Sequence, residues 1–119
     1  MKCFTLPGRV ESLNKLLTSH WSKRYASNNA WFAKVIAIAG ARYERPKVRQ
    51  DVTLTVYLNR ELDRDNLIGG CKGLIDSLTK AGYLKDDKPE WCVVTYNSEP
   101  CKKGQERVEV KIRDESESE

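Results

Sequence analysis

Histidine is nearly absent: His20 is the only one in 119 residues. That leaves no room for a metal centre built on several imidazoles. The four cysteines stand at 3, 71, 92 and 101, and no two form a C-x-x-C. Zinc ribbons and thioredoxin-like redox pairs require that spacing. Long apolar runs are missing as well. The longest, 35–39, has charge on both sides and falls far short of the ~20 residues of a membrane span. The opening MKCFTLP is interrupted too early for a secretory signal. Four thiols without an export signal predict reduced cysteines in a cytoplasmic protein. Acids are scarce in one half: Glu11 and Glu44 are the only ones in the first 50 residues, against ten bases.

What is present is a basic single domain. A chain of 13.6 kDa buries about two thirds of its unfolded surface and folds without a staple. The tail 114–119 holds four acids and no base, so residues 1–113 carry 21 bases and 13 acids, a net +8. All of that surplus lies in residues 1–50, because 51–113 balance at eleven each. A basic half beside a neutral half is the footprint of a polyanion binder, though a solvated surface gives the same count. Residues 1–113 are expected to be the domain, and 114–119 a disordered, self-repelling tail.

The patterning predicts a strand over 2–6, stopped by Pro7-Gly8. Residues 9–30 read as a loop, with a helical turn near 10–17. Apolar positions Trp31, Val35, Ile38, Ala39 and Tyr43 predict an amphipathic helix over 27–43, ended by Arg45-Pro46. Val52, Leu54, Val56 and Leu58 alternate with Thr53, Thr55 and Tyr57, so 51–58 is a strand. A second helix is predicted over 65–81, stopped by Gly82. Strands follow over 91–96 and 107–113, joined by a hairpin over 97–105. The order β-α-β-α-β-β predicts an α+β fold, with two main helices layered on a mixed sheet.

The second helix has two faces. Leu67, Cys71, Leu74, Leu78 and Ala81 form an apolar stripe, whereas Asp65, Gly69, Lys72 and Asp76 lie about 200° away. Gly69-Gly70 costs about 1 kcal/mol per glycine in a helix. Such a bulkless patch admits either a phosphate backbone or, as the commoner reason, a closely packed neighbour or a local break.

Acids gather around this helix. Asp63 and Asp65 flank its start, two residues apart and so on one face of extended chain. Asp86 and Asp87 follow its end. Phosphodiester cleavage needs an activated water and charge relief on phosphate oxygens. Hard cations such as Mg²⁺ supply both and take carboxylate ligands, and a nearby lysine stabilises the developing charge. Helix N-terminal acids favoured by the dipole give the same D-x-D pattern. An EF-hand is excluded, since the twelfth position from Asp63 is Leu74.

Taken together, Asp63-Arg64-Asp65-Asn66-Leu67, Lys72 with Asp76 and Leu78, and Gly82 followed by Asp86-Asp87 resemble the RusA family of Holliday junction resolvases. The likeness covers residues 59–91, with a looser match of Leu13-Asn14 after Leu6-Pro7. It implies a homodimeric, Mg²⁺-dependent endonuclease (Mn²⁺ as a substitute) that cuts four-way DNA junctions by paired nicks in recombination and repair. It implies Asp63, Asp65 and Asp87 as catalytic, metal-holding carboxylates, Asp86 as the lesser member of its pair, and Lys72 as the catalytic lysine. Lys23, Arg24, Arg42, Arg45, Lys47 and Arg49 are the expected DNA contacts. The chain departs from the family pattern by three residues inserted before Lys72 and by a longer N-terminal segment with a degraded proline motif. A non-catalytic branched-DNA-binding module, or a nuclease on other branched nucleic acids, remains as an alternative. His20 and Trp21 would either stack on bases or pack in a loop.

Overall fold

The computed structural model describes residues 1–115. The elements run β1 (Lys2–Pro7), α1 (Leu13–Thr18), α2 (Trp21–Ala39), β2 (Gln50–Leu58), α3 (Arg64–Gly70), α4 (Lys72–Lys80), β3 (Cys92–Pro100) and β4 (Arg107–Asp114). The strands form one mixed sheet in the order β1-β4-β2-β3, parallel only between β2 and β3. The fold is α+β, with α2 and α4 as its main helices. Alternation in β2 sends Val52, Leu54, Val56 and Leu58 into the core, beside Val108, Val110 and Ile112 of β4 and Leu6 of β1. On the opposite face, cross-strand polar pairs take over: Arg107 lies 3.8 Å over the Tyr57 ring, and Arg113 meets Asp51 at 3.8 Å.

Three boundaries differ from those expected. Helix α2 starts six residues earlier than predicted, because His20 accepts the N–H of Ser22 and caps it. It ends at Gly40, whose φ of 80° and bonds to Val35 and Ile36 carbonyls stop it before Arg45-Pro46. Its buried residues are Trp31 and Val35, while Ile38 and Tyr43 are exposed. The helix predicted over 65–81 is divided at Cys71 into α3 and α4.

The segment 97–105 is not a hairpin. Strand β3 runs on to Pro100 at the sheet edge, and the chain crosses the end of β2 to insert β4 between β1 and β2. On the way Cys101 N–H donates to the Leu58 carbonyl at 2.9 Å. The physical reason is burial. Beyond Cys92, β3 is mostly exposed or half-exposed and suits an edge, whereas β4 offers three buried aliphatics and needs neighbours on both sides.

The first two residues of the expected tail belong to the fold. Gln50, only 4% exposed, donates from Nε2 to Asp114 Oδ1 at 2.7 Å. Glu115 N–H reaches the Arg49 carbonyl at 2.9 Å, and its carboxylate pairs with Arg49 at 3.2 Å. Residues 116–119 lie outside the described residues. Truncation after Arg113 should therefore destabilise the protein by about 1–2 kcal/mol, because it takes a partner from a buried amide. Urea unfolding measures this; an unchanged midpoint would restore the disordered tail from residue 114.

Candidate active site

The D-x-D-N run is locked at the start of α3. Asp63 is the N-cap, accepting from Asn66 N–H at 2.9 Å through Oδ1 and from Asn66 Nδ2 at 3.0 Å through Oδ2. These bonds from Asn66 hold the Asp63 carboxyl below the usual carboxylate range. Asn66 Oδ1 in turn accepts the Asn14 N–H at 2.8 Å, tying α1 to the motif across 52 residues. Asp65 lies in the first turn of α3 and is exposed. Both acids occupy places that a helix start favours on its own.

The glycines serve packing. A Cβ on Gly69 would come within 2.6 Å of the Leu13 side chain, and one on Gly70 would collide with the Glu11 backbone carbonyl. Residues 11–13 therefore occupy the space that the alternative reading left for a phosphate.

The two faces survive the break at Cys71. Leu67, Cys71, Leu74, Leu78 and Ala81 are all buried. Burial pushes the Cys71 thiol up to about 12, so it stays protonated and inert. On the other side Gly69, Lys72 and Asp76 line a shallow hollow of about 250 Å³ with Asp87, Tyr96 and the apolar Ile68, Ile75 and Val94. Asp65 stands one turn before Gly69, about 6 Å along the axis.

A tight reversal after α4 returns the second acid pair to this face. Gly82 takes φ 94°, its N–H bonds to the Thr79 carbonyl, and Tyr83 N–H reaches back to Leu78. That is a Schellman stop. Tyr83 and Leu84 are buried, and Arg45 Nη1 donates to the Thr79 and Leu84 carbonyls, pinning the returning segment along α4. Lys72 Nζ then stands 3.8 Å from both Asp76 Oδ1 and Asp87 Oδ2. The Asp86 carboxylate hydrogen-bonded to Asp87, burial, and the nearby Asp76 raise the Asp87 carboxyl above its ordinary value, and Lys72 only partly offsets them. Asp86 is held low by its bonds from Asp87, including the backbone N–H at 2.7 Å. Of the pair, Asp87 is the one that Lys72 reaches.

Among the described residues, no three His, Cys, Asp or Glu side chains converge on one metal position. Asp63, Asp65 and Asp87 therefore make no closed cage. Their hard oxygen donors suit Mg²⁺ in its usual mode, with one or two carboxylates and the rest of its shell from water and substrate phosphate. The crowding of Asp87 by Asp76 and Asp86 is the situation a bound cation relieves.

The six expected DNA contacts divide. Lys23 and Arg24 are exposed on α2, with no ion-pair partner among the described residues. Arg42 and Lys47 line a hollow of about 440 Å³ beside Glu44 and Asp114. Arg45 is committed to the α4 terminus and Arg49 to Glu115, so both have structural work. Asp76, Asn66 and Asn14 were not among the expected site residues. Asp76 had a readable signal, its spacing of four from Lys72 on a helix; the Asn14–Asn66 bond had none.

No helix among the described residues is long and apolar enough to cross a membrane. Neither protein-family models nor curated proteins match the chain.

Proposed function

We propose that the chain is a structure-selective DNA endonuclease that resolves four-way junctions by paired nicks and acts as a homodimer with two active sites. The observation that carries this reading is the return of Asp87 to Lys72, at 3.8 Å, in the hollow that Asp76 also lines. A phosphate-binding surface alone has no use for acids at its centre, because they repel the backbone. Asp63, Asp65 and Asp87 would hold Mg²⁺, or Mn²⁺ in its place, which when bound supplies charge relief on phosphate oxygens and a water activated near neutral pH. Asn66 keeps Asp63 ionised and oriented. Lys72, 73% exposed and steadied by Asp76 and Asp87, projects into the hollow where a phosphate would sit and stabilises its developing charge.

The deciding experiment incubates the protein with a labelled four-way junction and with linear duplex, in Mg²⁺ or in EDTA. Paired nicks on the junction alone, dependent on the cation, are expected. Binding without cutting would favour the non-catalytic module. Sedimentation tests the dimer: a monomer that still resolves junctions would overturn it.

Lys72→Ala separates chemistry from folding. The side chain is exposed, so stability should change by no more than about 0.5 kcal/mol. Cutting should fall by about 100-fold or more. Unchanged cutting would return Lys72 to an ordinary solvated helix face and show that the three inserted residues misplace the match.

A further inference from the structure

We infer that the first two turns of α2 form a stacking platform for unpaired bases of a nucleic acid strand. Trp21 and Tyr25 are its faces, and Arg24, beside Trp21 on the helix surface, its phosphate contact. This rests on the partner being nucleic acid, and does not require that the chain cut it.

Trp21 and Tyr25 are 65% and 64% exposed. They are four residues apart on α2, hence neighbours on one helix face. Two large aromatic rings left in water on one face cost free energy unless something covers them. Trp21 is also braced: the His20 ring packs 5.5 Å from it, tilted by 37°. His20 is itself fixed through Nδ1 by the backbone N–H and hydroxyl of Ser22. A pre-set indole loses little freedom when a base lies over it.

The surrounding charge selects the occupant. Residues 12–43 carry Lys15, Lys23, Arg24, Lys34 and Arg42 and no acid at all. A self-complementary contact through this face would set Arg24 against its own copy. A polyanion gains from the same charges, and aromatic rings flanked by bases are how single strands are held without sequence preference.

The helix that carries the platform packs against α4 of the candidate site. Gly73, next to Lys72, has no side chain because Asn28 of α2 occupies that space, and Ser77 of α4 bonds the Asn28 carbonyl at 3.4 Å. Trp21 is seven residues before Asn28, roughly 10 Å along the helix. A strand whose bases splay onto Trp21 and Tyr25 would thus lie on the helix that packs against α4. Branched DNA supplies unpaired bases where its arms meet, whereas continuous duplex supplies none.

Fluorescence anisotropy in EDTA tests this with a labelled oligothymidylate and a blunt linear duplex of equal phosphate number. Trp21→Ala should weaken oligothymidylate binding by about tenfold and leave duplex binding unchanged. Trp21→Phe should restore most of the loss. Arg24→Ala should weaken both ligands alike. The exposed position predicts an unaltered melting curve; should Trp21→Ala fail to fold, Tyr25→Ala carries the same expectation. Equal binding of both ligands by Trp21→Ala and the parent would overturn the platform. So would a Trp21→Ala protein that changes only its sedimentation, which would assign the face to a protein contact. Parent protein that binds oligothymidylate through Trp21 but never cuts refutes the nuclease reading and leaves the platform. Junction cutting with oligothymidylate binding indifferent to Trp21→Ala does the reverse.

Discussion

An Asp87→Asn protein should bind a four-way junction at least as tightly as the parent and cut it at least about 100-fold more slowly, the scale on which loss of one charge-stabilising group acts. The side chain is at the surface of the hollow and its replacement has the same shape, so the fold should stand. Binding should hold or tighten because a negative charge facing phosphates has been removed. Asp65→Asn should behave alike, being exposed in the first turn of α3. Asp63→Asn is a stringent variant, since asparagine caps helices as well as aspartate does. The bond to Asn66 N–H can persist while the charge goes. Asp86→Asn is the internal control, with a milder loss, because that carboxyl turns to the Asp87 backbone and not to Lys72. The reverse order would exchange the roles of the pair. An Asp63→Asn or Asp65→Asn protein that cuts at the normal rate would end the carboxylate mechanism.

The pH dependence follows from the same contacts. A carboxyl held above its usual value takes a proton first as pH falls, and one held below takes it last. Asp87, raised by Asp86, burial and Asp76, should therefore set the acid limb of the rate profile, while Asp63, lowered by Asn66, remains ionised. Asp86→Asn should move that limb to lower pH by removing the acceptor that favours protonated Asp87. A limb unmoved by that substitution would mean that another group controls it.

Periodicity made most of the fold readable. Alternation in 51–58 and 107–113 marked the two strands at the centre of the sheet, and the apolar stripe from Leu67 to Ala81 marked the buried helix face. The stripe opposite it was equally readable, since Gly69, Lys72 and Asp76 share one hollow despite the break between them. What escaped was long-range. The edge position of β3 depends on which strand burial draws into the centre, a comparison between strands that no single window holds. The return of Asp86-Asp87 was undecided because a straight helix of 65–81 would have carried them about 25 Å away. The break at Cys71, the stop at Gly82 and the burial of Tyr83 and Leu84 shorten that path. Arg45 and Arg49 looked like phosphate contacts because composition counts charges without seeing whether a carbonyl or carboxylate already holds them.

Gly70→Ala shows how far context can reverse a local preference. Alanine in place of glycine favours an isolated helix by about 1 kcal/mol, and by that rule the substitution stabilises. Here the added methyl would meet the Glu11 carbonyl, a backbone atom with no rotamer to escape into, and the Val10 side chain at 3.0 Å. Val10 is 1% exposed and anchored in the core. Relief requires the 10–13 segment to lift away from α3, so the net effect should be a loss of about 1–3 kcal/mol, read as a lower urea midpoint. Gly69→Ala should cost somewhat less, since its methyl meets the side chain of Leu13 and no backbone carbonyl, though Leu13 Cβ at 2.7 Å cannot rotate away and α1 must shift to admit it. The loss at Gly70 should also reach the site, because lifting residues 10–13 stretches the Asn14–Asn66 bond that braces the Asp63 cap. Gly70→Ala should then cut junctions poorly even where it is fully folded, while Gly69→Ala retains more of the activity. A Gly70→Ala protein more stable than the parent would show that the 10–13 segment yields freely, and that the glycine pair is there for some reason other than packing.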